Sequence, residues 1–212
     1  MISRRHFNTL AMGAAAGAAL APQAAFGAGA GEYEPILGEN GHYTQSWFLD
    51  SFLEVADDLD EATVQGKRFA VMWELEGCPY CRETHFVNFG VPEIRDYVRE
   101  NFLIVQLDLK GSREVVGFDG QSMSEKKFAQ VNGVRFTPTV QFFPETLDGL
   151  SGAAKIKPEI ARMPGYFQPF HFLAMFQFVK EKAYEKQDFR AYLKARIASY
   201  KDAGKPIPSW KS

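Results

Sequence analysis

Cysteine is almost absent from this sequence. The chain of 212 residues has two cysteines, Cys78 and Cys81, and only Pro79 and Tyr80 separate them. Two cysteines cannot form the multiple disulfides that stabilise small exported domains. A pair at this spacing indicates either a redox couple or half of a metal site.

An excess of positive charge is also missing. The sequence has 24 lysines and arginines against 26 acidic residues, a formal net charge of -2, and no basic tract. Binding to nucleic-acid phosphates depends on such a tract to release counterions. The charge pattern therefore excludes a nucleic-acid partner.

The N-terminal region lacks an apolar run long enough to span a membrane. Residues 10–20 are apolar but consist mostly of alanine and glycine, well short of the about 20 residues that a span needs. This run follows Arg4 and Arg5 and precedes small residues at 28–30. We therefore interpret residues 1–30 as a twin-arginine export signal, with a membrane anchor as the alternative, and expect a soluble protein in the periplasm.

The surroundings of the two cysteines favour redox chemistry over metal binding. An apolar run at 68–75 predicts a buried strand before them, and helix formers follow at 82–86. A strand that leads into Cys-x-x-Cys at a helix start is typical of redox proteins. Tetrahedral zinc needs four ligands, and His42, His85 and His171 are not at a supporting spacing. We predict no metal and no bound cofactor.

The rest of the chain alternates helical and strand patterns. We predict a loose leader at 31–44, an amphipathic helix over 45–62, strands over 68–75 and 103–109, a helix through 94–102, a hairpin or turn at 115–121, a short helix capped by Ser124, a strand after Pro138, a loop at 149–157, a last strand over 159–163, and helices through 172–179 and from Asp188. Alternation of this kind predicts an α/β fold.

The positions of the two cysteines predict different roles. Cys78 at a helix N-terminus has its thiolate stabilised by free backbone N–H groups and the helix dipole. Pro79, which has no N–H, suits the first helical turn. Cys81 lies one turn deeper on the same side, shielded but close to Cys78. We assign Cys78 as the nucleophile and Cys81 as the resolving thiol.

The order of these elements, together with residues 133–139 and Gly165, resembles the thioredoxin superfamily. Segments at 74–81, 134–143 and 162–172 are similar to the exported, SoxW-type thioredoxins of bacterial sulfur-oxidation systems. The resemblance implies a thioredoxin fold, a central mixed sheet flanked by helices. It places a leader and N-terminal helix at 31–63, the thioredoxin-like domain at 64–182 and a C-terminal helical extension at 183–212.

The resemblance also implies a substrate-facing surface. Pro138 corresponds to the family's cis-proline opposite the cysteines, with the Thr137 backbone free to pair with an extended substrate segment. Pro79 and Tyr80, between the cysteines, complete the predicted substrate-binding residues. The alternative for Pro138 is an ordinary proline at the start of a strand.

One position departs from the family pattern. Thioredoxins have a buried aspartate six residues before the first cysteine, and this chain has Met72 there. Glu74 lies on the same face of the strand and is the best replacement. It is either a catalytic proton acceptor for Cys81 or an ordinary carboxylate at the surface edge. His85 is interpreted as a packed or surface histidine.

These observations predict a periplasmic protein-disulfide reductase. Its expected partners are exported proteins with disulfides, in sulfur oxidation or cytochrome maturation, and a membrane thiol–disulfide electron donor. A monomer is expected. The alternatives are a disulfide oxidase or isomerase of the same fold, and a non-catalytic binding or copper-handling module.

Overall fold

The computed structural model of the chain describes residues 33–210. The export signal predicted for residues 1–30 lies outside these residues. In chain order the elements are β1 (Ile36–Leu37), β2 (Tyr43–Thr44), α1 (Val55–Val64), β3 (Arg68–Glu74), α2 (Pro79–Glu83) with a π-helical turn (Thr84–Asn88), α3 (Pro92–Asn101), β4 (Phe102–Asp108), β5 (Glu114–Val116), β6 (Ser122–Ser124), α4 (Glu125–Val131), β7 (Thr139–Phe142), α5 (Gly152–Ile156), β8 (Ala161–Pro164), α6 (Pro169–Lys180), a 3₁₀ turn (Ala183–Glu185) and α7 (Phe189–Asp202).

The main sheet has four strands in the order β4-β3-β7-β8. β3 runs parallel to β4 and antiparallel to β7, and β7 pairs antiparallel with β8. β3 is buried along its whole length, because strands pair with both of its edges and helices cover both of its faces. This confirms the predicted α/β class with a central mixed sheet flanked by helices.

Alternate residues of β3 point to opposite faces of the sheet. Phe69, Val71 and Trp73 pack in a core that also contains residues of α1 and α4. Ala70 and Met72 pack in a second core, which contains residues of α3 and α6. Glu74 is two residues after Met72 and therefore lies on the face of that second core.

The helix predicted over 45–62 begins ten residues later, at Val55. Leu53 has a φ of 64°, in the left-handed region that a right-handed helix cannot contain. The segment before it crosses the edge of the sheet, where the Leu49 N–H donates to the Ile104 carbonyl at 2.9 Å. Phe48 packs with the second core and Leu49 with the first, so the apolar residues here contact both faces of the sheet.

Other boundaries differ by smaller amounts. The leader contains the short β1–β2 pair, and the loop predicted at 149–157 contains α5, a short helix with no buried residue. The last strand is displaced to 161–164 and includes Pro164, which is tolerated because β8 is at the edge of the sheet.

Several local predictions are confirmed. The Asp119–Gly120 pair lies between the antiparallel strands β5 and β6, so this segment is the predicted hairpin. The side chains of Ser124 and Asp188 accept N-terminal backbone hydrogen bonds in α4 and α7. Local capping signals therefore fix these helix starts well.

Among residues 33–210, no helix is both long and apolar enough to cross a membrane.

Candidate active site

The two cysteines lie at the start of α2, directly after the central strand β3. The chain turns at Gly77, whose φ of 71° is in the left-handed region that glycine adopts without strain. Cys78 is the N-cap of α2, and its Sγ accepts a hydrogen bond from the Cys81 N–H at 3.2 Å. Pro79 occupies the first turn, as predicted.

Cys78 faces the loop that contains the predicted cis-proline. The Thr137 Oγ1 hydroxyl lies 3.3 Å from Cys78 Sγ, and the Thr137 carbonyl oxygen lies 3.6 Å from the same sulfur. The Thr137–Pro138 peptide bond is cis, which agrees with the expectation from the family resemblance. The Gly165 N–H donates to the Pro138 carbonyl at 2.8 Å and ties this loop to the end of β8.

Cys81 is a free thiol with 4% of its surface exposed. Burial raises the pKa of the Cys81 thiol well above its ordinary value, and the negative charge of Glu74 raises it further. The buried sulfur therefore keeps its proton until a base removes it.

Glu74 is the candidate for this base. It is 1% exposed at the end of the central strand β3, so the alternative of a surface-edge carboxylate is wrong. Its Oε1 lies 2.8 Å from His85 Nε2, and its Oε2 accepts from Gln106 Nε2 at 2.5 Å. Glu74 and both cysteines line one cavity of 560 Å³.

His85 is fully buried rather than on the surface, and it is part of a hydrogen-bonded chain. Its Nδ1 lies 2.9 Å from Gln45 Nε2, and Gln45 Oε1 accepts from the Tyr33 hydroxyl at 2.8 Å. His85 is four residues after Cys81 and therefore lies on the same helix face. This spacing is the sequence feature that could have identified it as a site residue. Gln45 and Tyr33 carry no comparable signal.

Aromatic side chains line a groove beside the start of α2. Tyr80 is 59% exposed and stacks on Tyr166 with ring centroids 5.9 Å apart. Together with Pro79 and Trp210 they line an open groove of 750 Å³. Sequence reasoning missed Tyr166, whose hydroxyl donates to buried Asn88 Oδ1 at 3.3 Å and so joins the groove to the active-site helix.

Metal-binding side chains do not converge anywhere in residues 33–210: no group of three or more histidines, cysteines, aspartates and glutamates is placed to hold an ion.

The class of protein follows from the sheet, the two cysteines at the helix start and the cis-proline opposite them: this is a thioredoxin fold with a dithiol site. The sequence model of the Thioredoxin-like domain matches residues 55–180, which is more than half of the chain, and the chain belongs to this family. The fold supports a function of the thiol–disulfide oxidoreductase type.

Solved structures of thioredoxin-fold proteins are similar to this chain. A thioredoxin-fold protein from Helicobacter pylori is 23% identical, with a TM-score of 0.52, and the match covers 69% of this chain and 97% of that one. A thioredoxin from Thermus thermophilus is 20% identical over 59% of this chain and 83% of its own, with a TM-score of 0.44. Oxidised thioredoxin O2 from Arabidopsis thaliana is 17% identical over 65% and 92%, with a TM-score of 0.38. The comparison with curated proteins found no match.

Proposed function

We propose that this protein is an exported protein-disulfide reductase that uses Cys78 and Cys81 as its dithiol. One observation carries the proposal: Cys78 is half-buried at the mouth of the site with two hydrogen-bond donors on its sulfur, and Cys81 is buried behind it. An attacking thiol needs access and a stabilised thiolate, and a resolving thiol needs protection until the mixed disulfide has formed.

In the first step the Cys78 thiolate attacks one sulfur of a client disulfide. The Cys78–client bond forms, the client S–S bond breaks, and the departing client sulfur leaves as a thiolate that takes up a proton from water. The Cys81 N–H and the Thr137 hydroxyl stabilise the attacking thiolate by donating to Cys78 Sγ. Thr137 and Pro138 form the wall against which an extended client segment pairs.

In the second step Cys81 resolves the mixed disulfide. Its proton passes to the Glu74 carboxylate, directly or through one water in the shared cavity. The Cys81 thiolate then attacks Cys78 Sγ, the Cys78–Cys81 bond forms, and the second client thiolate departs and is protonated. Two electrons have moved from the dithiol to the client.

The oxidised protein then needs two electrons and two protons from a donor. For an exported protein we propose a membrane thiol–disulfide electron donor, with disulfides of other exported proteins as clients. The similarity of the motifs to exported sulfur-oxidation thioredoxins favours clients in sulfur oxidation or cytochrome maturation. Exposed Tyr80 and Pro79 beside Cys78 support a protein client.

Insulin reduction with dithiothreitol tests the activity. The intact protein should accelerate the appearance of reduced insulin chains, and Cys78→Ser should return the rate to that of dithiothreitol alone. Circular dichroism of the variant verifies that it is folded. Equal rates for intact protein and variant would overturn the enzyme proposal.

A further inference from the structure

We propose that residues 33–45, which precede the matched domain, complete the active site. Through Tyr33 and Gln45 they hold His85 in one tautomer, and His85 positions the Glu74 carboxylate that accepts the Cys81 proton. His85, Gln45 and Tyr33 are therefore positioning residues. The inference rests on the proposed function, since it assigns the surroundings of the same resolving step.

The direction of each hydrogen bond follows from the chemistry of the groups. The Tyr33 hydroxyl lies 2.8 Å from Gln45 Oε1 and 3.1 Å from the His85 carbonyl oxygen, and we assign its single proton to the nearer acceptor, Gln45 Oε1. The Gln45 amide nitrogen then faces His85 Nδ1 at 2.9 Å. An amide nitrogen only donates, so Nδ1 must accept and carries no proton. The ring proton is then on Nε2, which donates to Glu74 Oε1 at 2.8 Å.

The inner part of this chain of hydrogen bonds is buried. His85, Glu74 and Gln45 are each at least 94% buried. The ring centroids of Tyr43 and Phe48 lie 6.4 and 6.0 Å from the centroid of the imidazole ring. In the low dielectric of the protein interior a hydrogen bond to a charged group is stronger than in water, and a buried polar group without a partner costs more free energy. Residues 33–48 thus supply the hydrogen-bond donor to His85 and the aromatic side chains that pack beside it.

Glu74 is held at both oxygens. His85 donates to Oε1, and Gln106 donates to Oε2 and also contacts the Tyr43 carbonyl at 2.6 Å. A carboxylate has about four acceptor positions, so each oxygen keeps one free for the Cys81 proton. Two fixed donors therefore hold both carboxylate oxygens in place beside the cavity.

Several other ionisable groups surround the Glu74–His85 pair. Tyr33 and Tyr43 approach from the leader, and the cavity that Glu74 lines is also lined by His42, Glu76, Cys78, Cys81 and Arg82. Asp108 is the register partner of Glu74 on β4 and lies 3.4 Å from His42. A change in the pH profile of the resolving step is therefore compared among variants that leave all of these groups in place.

The first test is nitrogen-15 NMR of His85 in the whole reduced chain. We expect the signature of a neutral imidazole protonated at Nε2 and unprotonated at Nδ1. In Gln45→Leu the two neutral tautomers should mix, whereas Gln141→Leu, which alters a buried glutamine bonded to Trp73 instead, should leave the His85 spectrum unchanged. A wild-type imidazole protonated at Nδ1 overturns the proposal without reference to any activity.

The second test separates the two chemical steps in single-turnover experiments with a chromophoric client disulfide. His85→Leu should slow release of the client by about tenfold, the effect of one hydrogen bond to a charged group, and Gln45→Leu by about fivefold, the effect of one between neutral groups. Formation of the mixed disulfide should keep its rate in both. The pH at which release becomes fast should move upward in both.

Conservative variants complete the comparison. His85→Gln keeps an N–H donor near Glu74 and should recover most of the release rate, and His171→Gln should have no effect on either step. Equal losses in both steps, or an unchanged release rate in folded Gln45→Leu, contradict the positioning role. Absence of turnover in the intact protein, with the expected tautomer present, would instead reject the proposed function.

Discussion

Cys78 and Cys81 are three residues apart on one helix, and they occupy opposite surroundings. The Cys78 side is open: exposed Tyr80 and Pro79 flank it, and its sulfur contacts the Thr137 hydroxyl at 3.3 Å. The Cys81 side is closed, with 4% of that residue exposed and a fully buried carboxylate and imidazole behind it.

The difference shows how one helix turn supports two unlike steps. The open side offers access and hydrogen-bond donors to a thiolate. The closed side retains a proton on the second thiol, because burial disfavours the charged form, and provides an acceptor that removes the proton when it is needed. Variants on the two sides should therefore fail in different ways.

The largest expected effect comes from removing either sulfur. Cys78→Ser should abolish turnover and leave no covalent adduct, because the attacking sulfur is gone. Cys81→Ala should also abolish turnover, but it should accumulate mixed disulfides between Cys78 and clients, visible on non-reducing gels and removed by dithiothreitol. Adducts on Cys81 in Cys78→Ser, with none in Cys81→Ala, would reverse the assigned roles.

The next effect concerns the base on the closed side. Glu74→Gln removes the proton acceptor and should slow client release by about a hundredfold, within the range of general base catalysis, while the first attack keeps its rate. Rapid-quench measurement of both steps checks this.

A matched control is Glu125→Gln. Glu125 is as buried as Glu74, but it binds Arg113 and the Asp108 N–H. This variant should lower stability without changing client release. Normal release in Glu74→Gln would reduce Glu74 to a structural residue.

The open side was more predictable from sequence than the closed side. Cys78 and Cys81 lie in a short motif whose spacing defines their geometry, and the resemblance to the thioredoxin superfamily placed Thr137 and Pro138 opposite them. Glu74 was found because strand parity places it on the face of Met72.

The partners of Glu74 depend on contacts that no local pattern encodes. Gln45 and His85 are 40 residues apart, and Tyr33 and Gln45 meet through polar atoms without periodicity. The same region misled the helix prediction. Phe48 has helical spacing with Phe52 and Val55, yet the neighbouring residues Phe48 and Leu49 pack on opposite faces of the sheet. A pattern of apolar residues predicts that they are buried, but it does not predict on which face of the sheet they pack.

Stability against pH gives a separate test of the closed side. Burial, and then the charge of Glu74, raises the pKa of the Cys81 thiol, so above about pH 8.5 the folded chain keeps a proton that the unfolded chain releases. The unfolded state then binds fewer protons, and the free energy of unfolding of the reduced protein should fall by about 1.4 kcal/mol per pH unit.

Urea unfolding with a non-thiol reductant between pH 7 and 10 measures this fall. Cys81→Ala should lose that part of the slope, and Cys78→Ala should retain it. Parallel curves for intact protein and Cys81→Ala would contradict the closed environment of this thiol.

The smallest effect is expected from a hydroxyl on the open side. Thr137→Val removes one donor from Cys78 Sγ and should slow the first attack about fivefold, with client release unchanged. Thr139→Val is the control, since that hydroxyl donates to the Phe136 carbonyl at 2.8 Å and does not contact the sulfur. Similar losses of attack rate in both variants would point to a disturbed loop instead.

The central claim is that the dithiol runs as a reductant, and its equilibrium reduction potential tests this most directly. Equilibration with glutathione buffers, read by tryptophan fluorescence or thiol alkylation, gives the value. With Pro-Tyr between the cysteines, as in glutaredoxins, we expect about -200 to -230 mV. A potential near about -120 mV, that of a strong disulfide oxidant, would contradict the reductase assignment.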